Sequence, residues 1–127
     1  MREIKFRAWD KAKKEFVPEH WFLSLWNDGS GCFRNSHNVD SRIDLDDLIL
    51  MQFTGLIDKN GKEIFEGDII SGGGKEPDYI VEFSDGCFRG NEINGWDVMV
   101  NHFPLSQSVT ISEPIIGNVY ENPELVK

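Results

Sequence analysis

"FTGLIDKNGKEIFEGDII", Phe53 to Ile70, is the most strongly patterned segment of this chain. It sets three glycines, four acids and two lysines between apolar runs. A calcium loop, a phosphate cradle and a β-hairpin all use such residues. An EF-hand loop needs an oxygen ligand at its fifth position and glycine at its sixth. Counted from Asp58, Asn60 fits the third position, but Gly61 falls at the fourth and Lys62 at the fifth. Calcium is excluded on that spacing. The nearby "SGGGKE", residues 71–76, lacks the phosphate-loop spacing and has no helix after it. Turn chemistry remains. Asn60-Gly61 is the preferred pair for a two-residue type I′ hairpin turn, with Lys59 and Lys62 flanking it and Asp58 opposite Glu63. Gly67, inside the following apolar run, marks a bulge or a strand bend at a barrel corner.

The flanking sequence is also β in character. In "REIKFRAW", residues 2–9, Ile4, Phe6 and Ala8 alternate with Glu3, Lys5 and Arg7, the pattern of a strand with one buried face. "DKAKK" at 10–14 reverses the chain. "EFVPEHWFLSL" at 15–25 completes a hairpin, with Pro18 at an edge or at the strand's end. Asn27–Asp40 is rich in Gly, Asn and Ser and reads as an exposed, mobile loop. Ser41 and Asp44 resemble a helix N-cap arrangement, which predicts a short helical turn leading into a strand at about 49–54. Beyond it come an interrupted strand at 63–70, a flexible loop at 72–77, a strand at 78–83 and a tight turn at 84–86. Short strands are predicted at 96–100, 108–111 and 113–120. The fold class is mainly β, α+β overall: a small antiparallel barrel over 51–127, preceded by a smaller β-hairpin region over 1–50 with a short helical turn.

Composition agrees with a folded chain. Of 127 residues, 39 % are hydrophobic and 28 % charged, with nine Phe, four Trp and two Tyr available for a core. The longest apolar run, "LILM" at 48–51, is too short to span a bilayer, and no apolar stretch follows the basic N-terminus. A cytoplasmic location without membrane contact is expected. Cys32 and Cys87 lie far apart in sequence with no C-x-x-C partner and read as reduced, packed thiols. Net charge is −9, unevenly spread: residues 1–14 carry +4 and residues 15–127 carry −13. Such a body disfavours non-specific binding to a phosphate backbone, although a local basic strip escapes that argument.

No catalytic, cofactor-binding or metal-binding residue is nominated. His20, His37 and His102 have no His or Cys three or four places away, and no nucleophile elbow is present. The pairs Asp44–Asp46 and Asp46–Asp47 read as a solvated acidic face or a helix cap. The one local mixture of basic and aromatic residues is Lys5, Arg7, Trp9 and Lys11. Stacking on single-stranded nucleic acid uses that combination. In an alternating strand Trp9 shares a face with Lys5 and Arg7, so covering their aliphatic stems or filling an oligomer contact is the preferred reading.

Three blocks taken together, "REIKFRAWDK", "LMQFTGLIDKNGKEIFEGDII" and "IIGNVYENPEL", resemble the YopX family, small proteins of bacteriophages and prophages. The resemblance implies a phage-encoded protein of the host cytoplasm, with an SH3-like barrel after a smaller N-terminal region and a capacity for self-association. It implies no activity and no catalytic residues. The leading expectation is a non-enzymatic binding module for a host or phage protein, using the acidic body and the loops at 27–40 and 72–77. Nucleic-acid binding through the basic N-terminal hairpin is the alternative, and an acidic DNA mimic a third. An enzyme is least favoured.

Overall fold

The computed structural model describes residues 3–93 and 102–126. The strand predicted at 96–100 lies outside them. The described chain is mainly β, and its registered strand pairs are antiparallel. It divides into two compact units, Lys5–Met51 and one built on Gln52–Lys127.

In the unit Lys5–Met51, β1 (Phe6–Asp10) pairs with β2 (Glu15–Phe16). The reversal between them closes on the buried Asp10, whose Oδ1 accepts the N–H groups of Ala12 and Lys13. Lys14 takes a positive φ of 55° there. Pro18 ends the second strand, so 15–25 is two elements: β2, then β3 (Trp21–Leu25). β4 (Gly31–Asn35) and β5 (Asn38–Asp44) complete the sheet β3-β4-β5. These strands replace the mobile loop expected at 27–40. The region holds two turn signals rather than one long loop. Asp28 accepts from the Ser30 N–H and hydroxyl, Asn35 accepts from the His37 N–H, and "CF" between them is buried. Ser41 falls inside β5, not at an N-cap. The helical turn is a 3₁₀ segment, Leu45–Asp47, that starts after Asp44 without a side-chain cap. Ala8, Phe33 and Leu48 form this unit's core, with Val17, Trp21, Leu23, Ile43, Leu45 and Leu50 packed around them.

β6 (Leu48–Ile57) carries the chain into the unit built on Gln52–Lys127, where it pairs with β7 (Glu63–Phe65). The register shifts between Phe53 and Ile57, and Gly55 sits there at φ 86°. The Asn60-Gly61 type I′ turn does not form, because Ile57 pairs with Glu63 and leaves a five-residue loop, 58–62. Asp58 is the reason. Its carboxylate is fully buried (0 % exposed), and Oδ1 accepts the N–H groups of Asn60 and Lys62 at 2.9 and 2.8 Å. Oδ2 accepts the Ile115 N–H at 2.8 Å. A two-residue turn would pull Asp58 into the strand ladder and away from these donors. The type I′ geometry appears instead at Asp85-Gly86 (φ 52° and 80°), joining β9 (Tyr79–Ser84) to β10 (Cys87–Glu92).

Gly67 turns the chain between β7 and β8 (Asp68–Ile70), with φ 86° and both backbone groups bonded, N–H to Val81 O and O to the Val119 N–H. β7 lies beside β6, whereas β8 joins a five-stranded sheet, so this glycine is where the chain changes sheets. That sheet runs β11 (His102–Pro104), β10, β9, β8, β12 (Ile115–Asn118). The strand expected at 108–111 is a single helical turn, α1 (Gln107–Thr110). Its geometry points Gln107 and the buried Thr110 at one target. Both donate to Ile57 O, and Gln107 Oε1 accepts the Ile57 N–H, so a side-chain amide completes the end of β6. Ile64, Ile70, Tyr79 and Val81 form the core, flanked by Leu56, Phe103, Leu105 and Ile115.

Burial alone would raise the Asp58 carboxyl. The N–H groups of Ile115, Lys62 and Asn60, aided by the Lys62 ammonium, more than offset it and hold the group below the ordinary carboxylate value. A depressed folded pKa gives stability that is present above the unfolded value and lost as pH falls through the folded one. Urea unfolding of the wild type should therefore weaken only as pH drops below about 4. Asp58→Asn should cost about 3 kcal/mol at neutral pH and flatten that acid slope. An unchanged midpoint at neutral pH would refute the role assigned to Asp58.

Candidate binding cleft

The hydrogen bonds of Asp58 determine what lies next to β12. Ile115 is held by Asp58, Glu113 O accepts the Lys59 N–H, and Pro114 O accepts the Ser71 N–H. The backbone of residues 113–115 is thus pinned on both sides, and the Glu113 carboxylate lies beside Gly73. Gly73 has φ 74°, and a Cβ there would collide with the Glu113 carboxylate. The 72–77 segment is not an open loop: Gly72 N–H donates to Asp78 Oδ1, Glu76 N–H donates to Gly72 O, and Gly73 bridges Glu76.

These pieces enclose a cleft of about 190 Å³. Its walls include Glu76, Glu92, Glu113, Tyr79, Phe103 and Val109, with Ser71, Gly72, Pro77 and Ser112. No Lys, Arg or His is among the described lining residues. The floor is aromatic: Tyr79 and Phe103 meet edge to face, centroids 4.9 Å apart. Gly90 makes that contact possible. It is the register partner of both Val81 and Phe103, and a Cβ on it would lie 2.7 Å from Tyr79 Cδ2 and 2.5 Å from Phe103 Cζ. Glu92 stands opposite Tyr79 in the β9–β10 ladder.

Tyr79 is 6 % exposed, and its buried hydroxyl has no hydrogen-bond partner among the described residues. Leaving such a group unpaired costs about 1–3 kcal/mol. Burial, then the Glu113 carboxylate, pushes its pKa up to about 12, so the hydroxyl stays protonated at neutral pH. The cleft is thus lined by three glutamates and two aromatic residues, and the Tyr79 hydroxyl is sealed from solvent. Among the described residues no group of three or more His, Cys, Asp or Glu could hold a metal ion.

The residues singled out from the sequence lie elsewhere, in the unit Lys5–Met51. Trp9 is 8 % exposed and packs edge to face on Phe16 at 5.1 Å, so its ring offers no stacking platform. Arg7 is half-buried, with its guanidinium carbon 4.8 Å from the centre of that same Phe16 ring. Lys5 is half-buried, and exposed Lys11 donates to Asp46 O at 3.3 Å. A different row lies on this unit's three-stranded sheet: exposed Phe22, half-buried Arg34 and exposed Arg42 are successive register partners across β3, β4 and β5. Reading 27–40 as a loop hid it. The exposed rings of His20 and His37 also stack, at 4.6 Å, a meeting that sequence spacing could not reveal. Cys32 and Cys87 are free thiols.

The YopX protein family matches residues 5–127. The chain belongs to that family. Among solved structures it is similar to protein EF1440 from Enterococcus faecalis, at 26 % identity and a TM-score of 0.74 over the full length of both chains. It also resembles yopX from Bacillus subtilis, at 21 % identity and a TM-score of 0.63, covering 100 % of this chain and 98 % of that one. The latter likeness speaks for the fold alone. No curated protein matches the chain. Among the described residues of this YopX-family chain, no helix is long and apolar enough to cross a membrane.

The cleft's shape depends on Gly90. Gly90→Ala should destabilise the protein by about 2 kcal/mol through forced separation of the Tyr79 and Phe103 rings. Urea unfolding measures it, and a neutral result would remove Gly90 from the account of the cleft.

Proposed function

We propose that this chain is a non-enzymatic binding module that engages a basic surface on a host or phage protein through residues 52–127. Charge segregation supports the reading. Residues 52–127 hold thirteen Asp and Glu against five Lys and Arg, whereas residues 5–51 hold eight against seven. Of the −13 carried by residues 15–127, residues 52–127 hold −8 and residues 15–51 hold −5, and the basic N-terminal segment brings residues 5–51 close to neutral. Opposite potentials speed encounter and reject wrong partners. The module is read as a small SH3-like barrel, on the support of five short antiparallel strands in the order β11-β10-β9-β8-β12. Fold analogy favours binding over catalysis but does not carry it alone. Phage or prophage origin, residence in the host cytoplasm and self-association belong to the same proposal and rest on the family.

Affinity capture from bacterial lysate tests it. The wild type should retain a basic protein that is released at about 0.5 M salt. Exchanging Glu63, Glu82 and Glu124 for Lys should cut the recovery at least ~tenfold by weakening electrostatic attraction. Capture of nothing above background, or capture indifferent to salt and to the exchanges, would sink the reading. If the retained protein is one that binds DNA, the acidic unit acts as a DNA mimic.

A second reading, binding of single-stranded nucleic acid, is favoured by the row Phe22-Arg34-Arg42. Two arginines directly opposite each other repel unless an anion is shared between them. Arg34 is oriented by a hydrogen bond from Nη1 to Val39 O at 3.1 Å, and Phe22 is 43 % exposed beside it. An oligonucleotide should bind at low salt with affinity falling steeply as salt rises. Arg34→Glu with Arg42→Glu should abolish that binding. No binding by the wild type at low salt ends this reading.

A further inference from the structure

We propose that the outer edge of β3 docks the same strand of a second copy of this chain, paired antiparallel with Ser24 opposite the partner's Ser24. This rests on the self-association stated above and names its surface.

Backbone parity leaves that edge open. β3 ends the sheet β3-β4-β5, and among the described residues no strand pairs with its far side. Trp26 N–H donates to Ser30 O, one step beyond the Leu25–Gly31 register pair. Alternate residues of an antiparallel ladder bond across, so Phe22, Ser24 and Trp26 turn their backbone groups to β4. The N–H and C=O groups of Leu23 and Leu25 therefore point into the free edge. Trp21 has the same parity, and its N–H goes to Pro18 O rather than to β4. Sheet edges are commonly guarded by charge, proline or brevity. β5, at the other side of this sheet, carries Asp40, Arg42 and Asp44 and a shift of register. The stretch "WFLSLW", β3 and the residue after it, has no charge and no proline.

The strand is also complementary to itself. Trp21 and Leu23 pack into the core, so Phe22, Ser24 and Trp26 share the opposite face. Phe22, Leu25 and Trp26 are 43, 51 and 68 % exposed, and Trp26 is the most exposed large apolar side chain among the described residues. Centring the pair on Ser24 sets Leu23 against the partner's Leu25 at both ends. Four backbone bonds result, and they use every open N–H and C=O of the two leucines. Phe22 then meets the partner's Trp26, also twice, at non-bonded positions where side chains approach most closely. Each chain carries −9, yet this ladder sets no charge against its own copy. An isologous contact needs one self-complementary patch, and two aromatics placed symmetrically about Ser24 supply it. So short a ladder buries less than about 1,200 Å², which points to association at about 10–100 µM.

Sedimentation velocity of the full chain from about 5 to 500 µM tests this, at about 0.3 M salt so that repulsion between the copies is screened. The wild type should shift from one chain to two as concentration rises. Phe22→Glu sits beside Arg34, and Trp26→Lys is on an exposed residue, so both spare the fold. Each alone should weaken dimerisation at least about tenfold, because two aromatic contacts are lost per dimer. Leu25→Pro removes an outward N–H and no bond to β4, and should act likewise. Mixing the Phe22→Glu chain with the Trp26→Lys chain should restore association: the new carboxylate faces the new ammonium, and one Phe22–Trp26 pair survives. A wild type that stays a single chain at every concentration overturns both the β3 contact and the self-association above, and leaves the edge to an extended segment of another protein. Association indifferent to all three variants overturns the β3 contact alone. Weakening by the single variants with no recovery in the mixture overturns the pairing centred on Ser24.

Discussion

One buried carboxylate organises the unit built on Gln52–Lys127. Asp58 divides its two oxygens between its own loop and Ile115 at the start of β12, segments far apart in sequence. Three backbone donors make this more than a turn device. A carboxylate removed from water needs its lone pairs occupied, and Asp58 obtains that only if loop 58–62 and residue 115 sit side by side. Once they do, Lys59 meets Glu113 and Ser71 meets Pro114 through their backbones. The position of one wall of the cleft is thus a consequence of an ionised group that never touches it.

The opposite wall follows from sterics rather than charge. Glycine is favoured at position 90 because two aromatic rings occupy the space of its side chain, and at 73 because its φ of 74° strains any other residue. Tight packing around Tyr79 seals its hydroxyl from water without providing a partner. The stability of Ile64, Ile70 and Val81, all fully buried, carries that cost. Each contributes about 1.5–3 kcal/mol on burial, enough for the core to hold a strained polar group at its margin.

The elements legible in the sequence were those governed by nearest neighbours. The strand at β1, the break at Pro18, the Asp85-Gly86 turn and the bend at Gly67 all follow from local backbone preference. The expected alternation of β1 does not hold: Ile4 is exposed, and Ala8, Trp9 and Asp10 are all buried. What escaped was set by distant contacts. Asn60-Gly61 has ideal local chemistry for a type I′ turn, but Asp58 finds Ile115 and the longer loop wins. Residues 108–111 look like a strand until Gln107 and Thr110 are seen gripping Ile57, a task that needs helical spacing. Asn27–Asp40 has a loop's composition, yet Cys32 and Phe33 suffice to seat a strand between two Asx turns. The cleft was invisible for the same reason. Glu76, Glu92 and Glu113 come from three segments that only the fold brings to one cleft.

The basic N-terminal segment shows how burial changes the meaning of a sequence pattern. Lys5, Arg7, Trp9 and Lys11 make a compact basic–aromatic cluster in one dimension. In the fold, β1 lies between β2 and β6, Trp9 is buried against Phe16, and Arg7 lies over that same ring. A charge reversal at Arg7 would therefore remove a packing contact of its own unit before it touched any ligand. Loss of binding in such a variant would report on folding and recognition together. Arg42 is exposed and the Arg34 guanidinium bonds a backbone carbonyl, so reversals there separate the two effects. The discriminating residues are those whose removal leaves the core intact, and sequence proximity to an aromatic does not identify them.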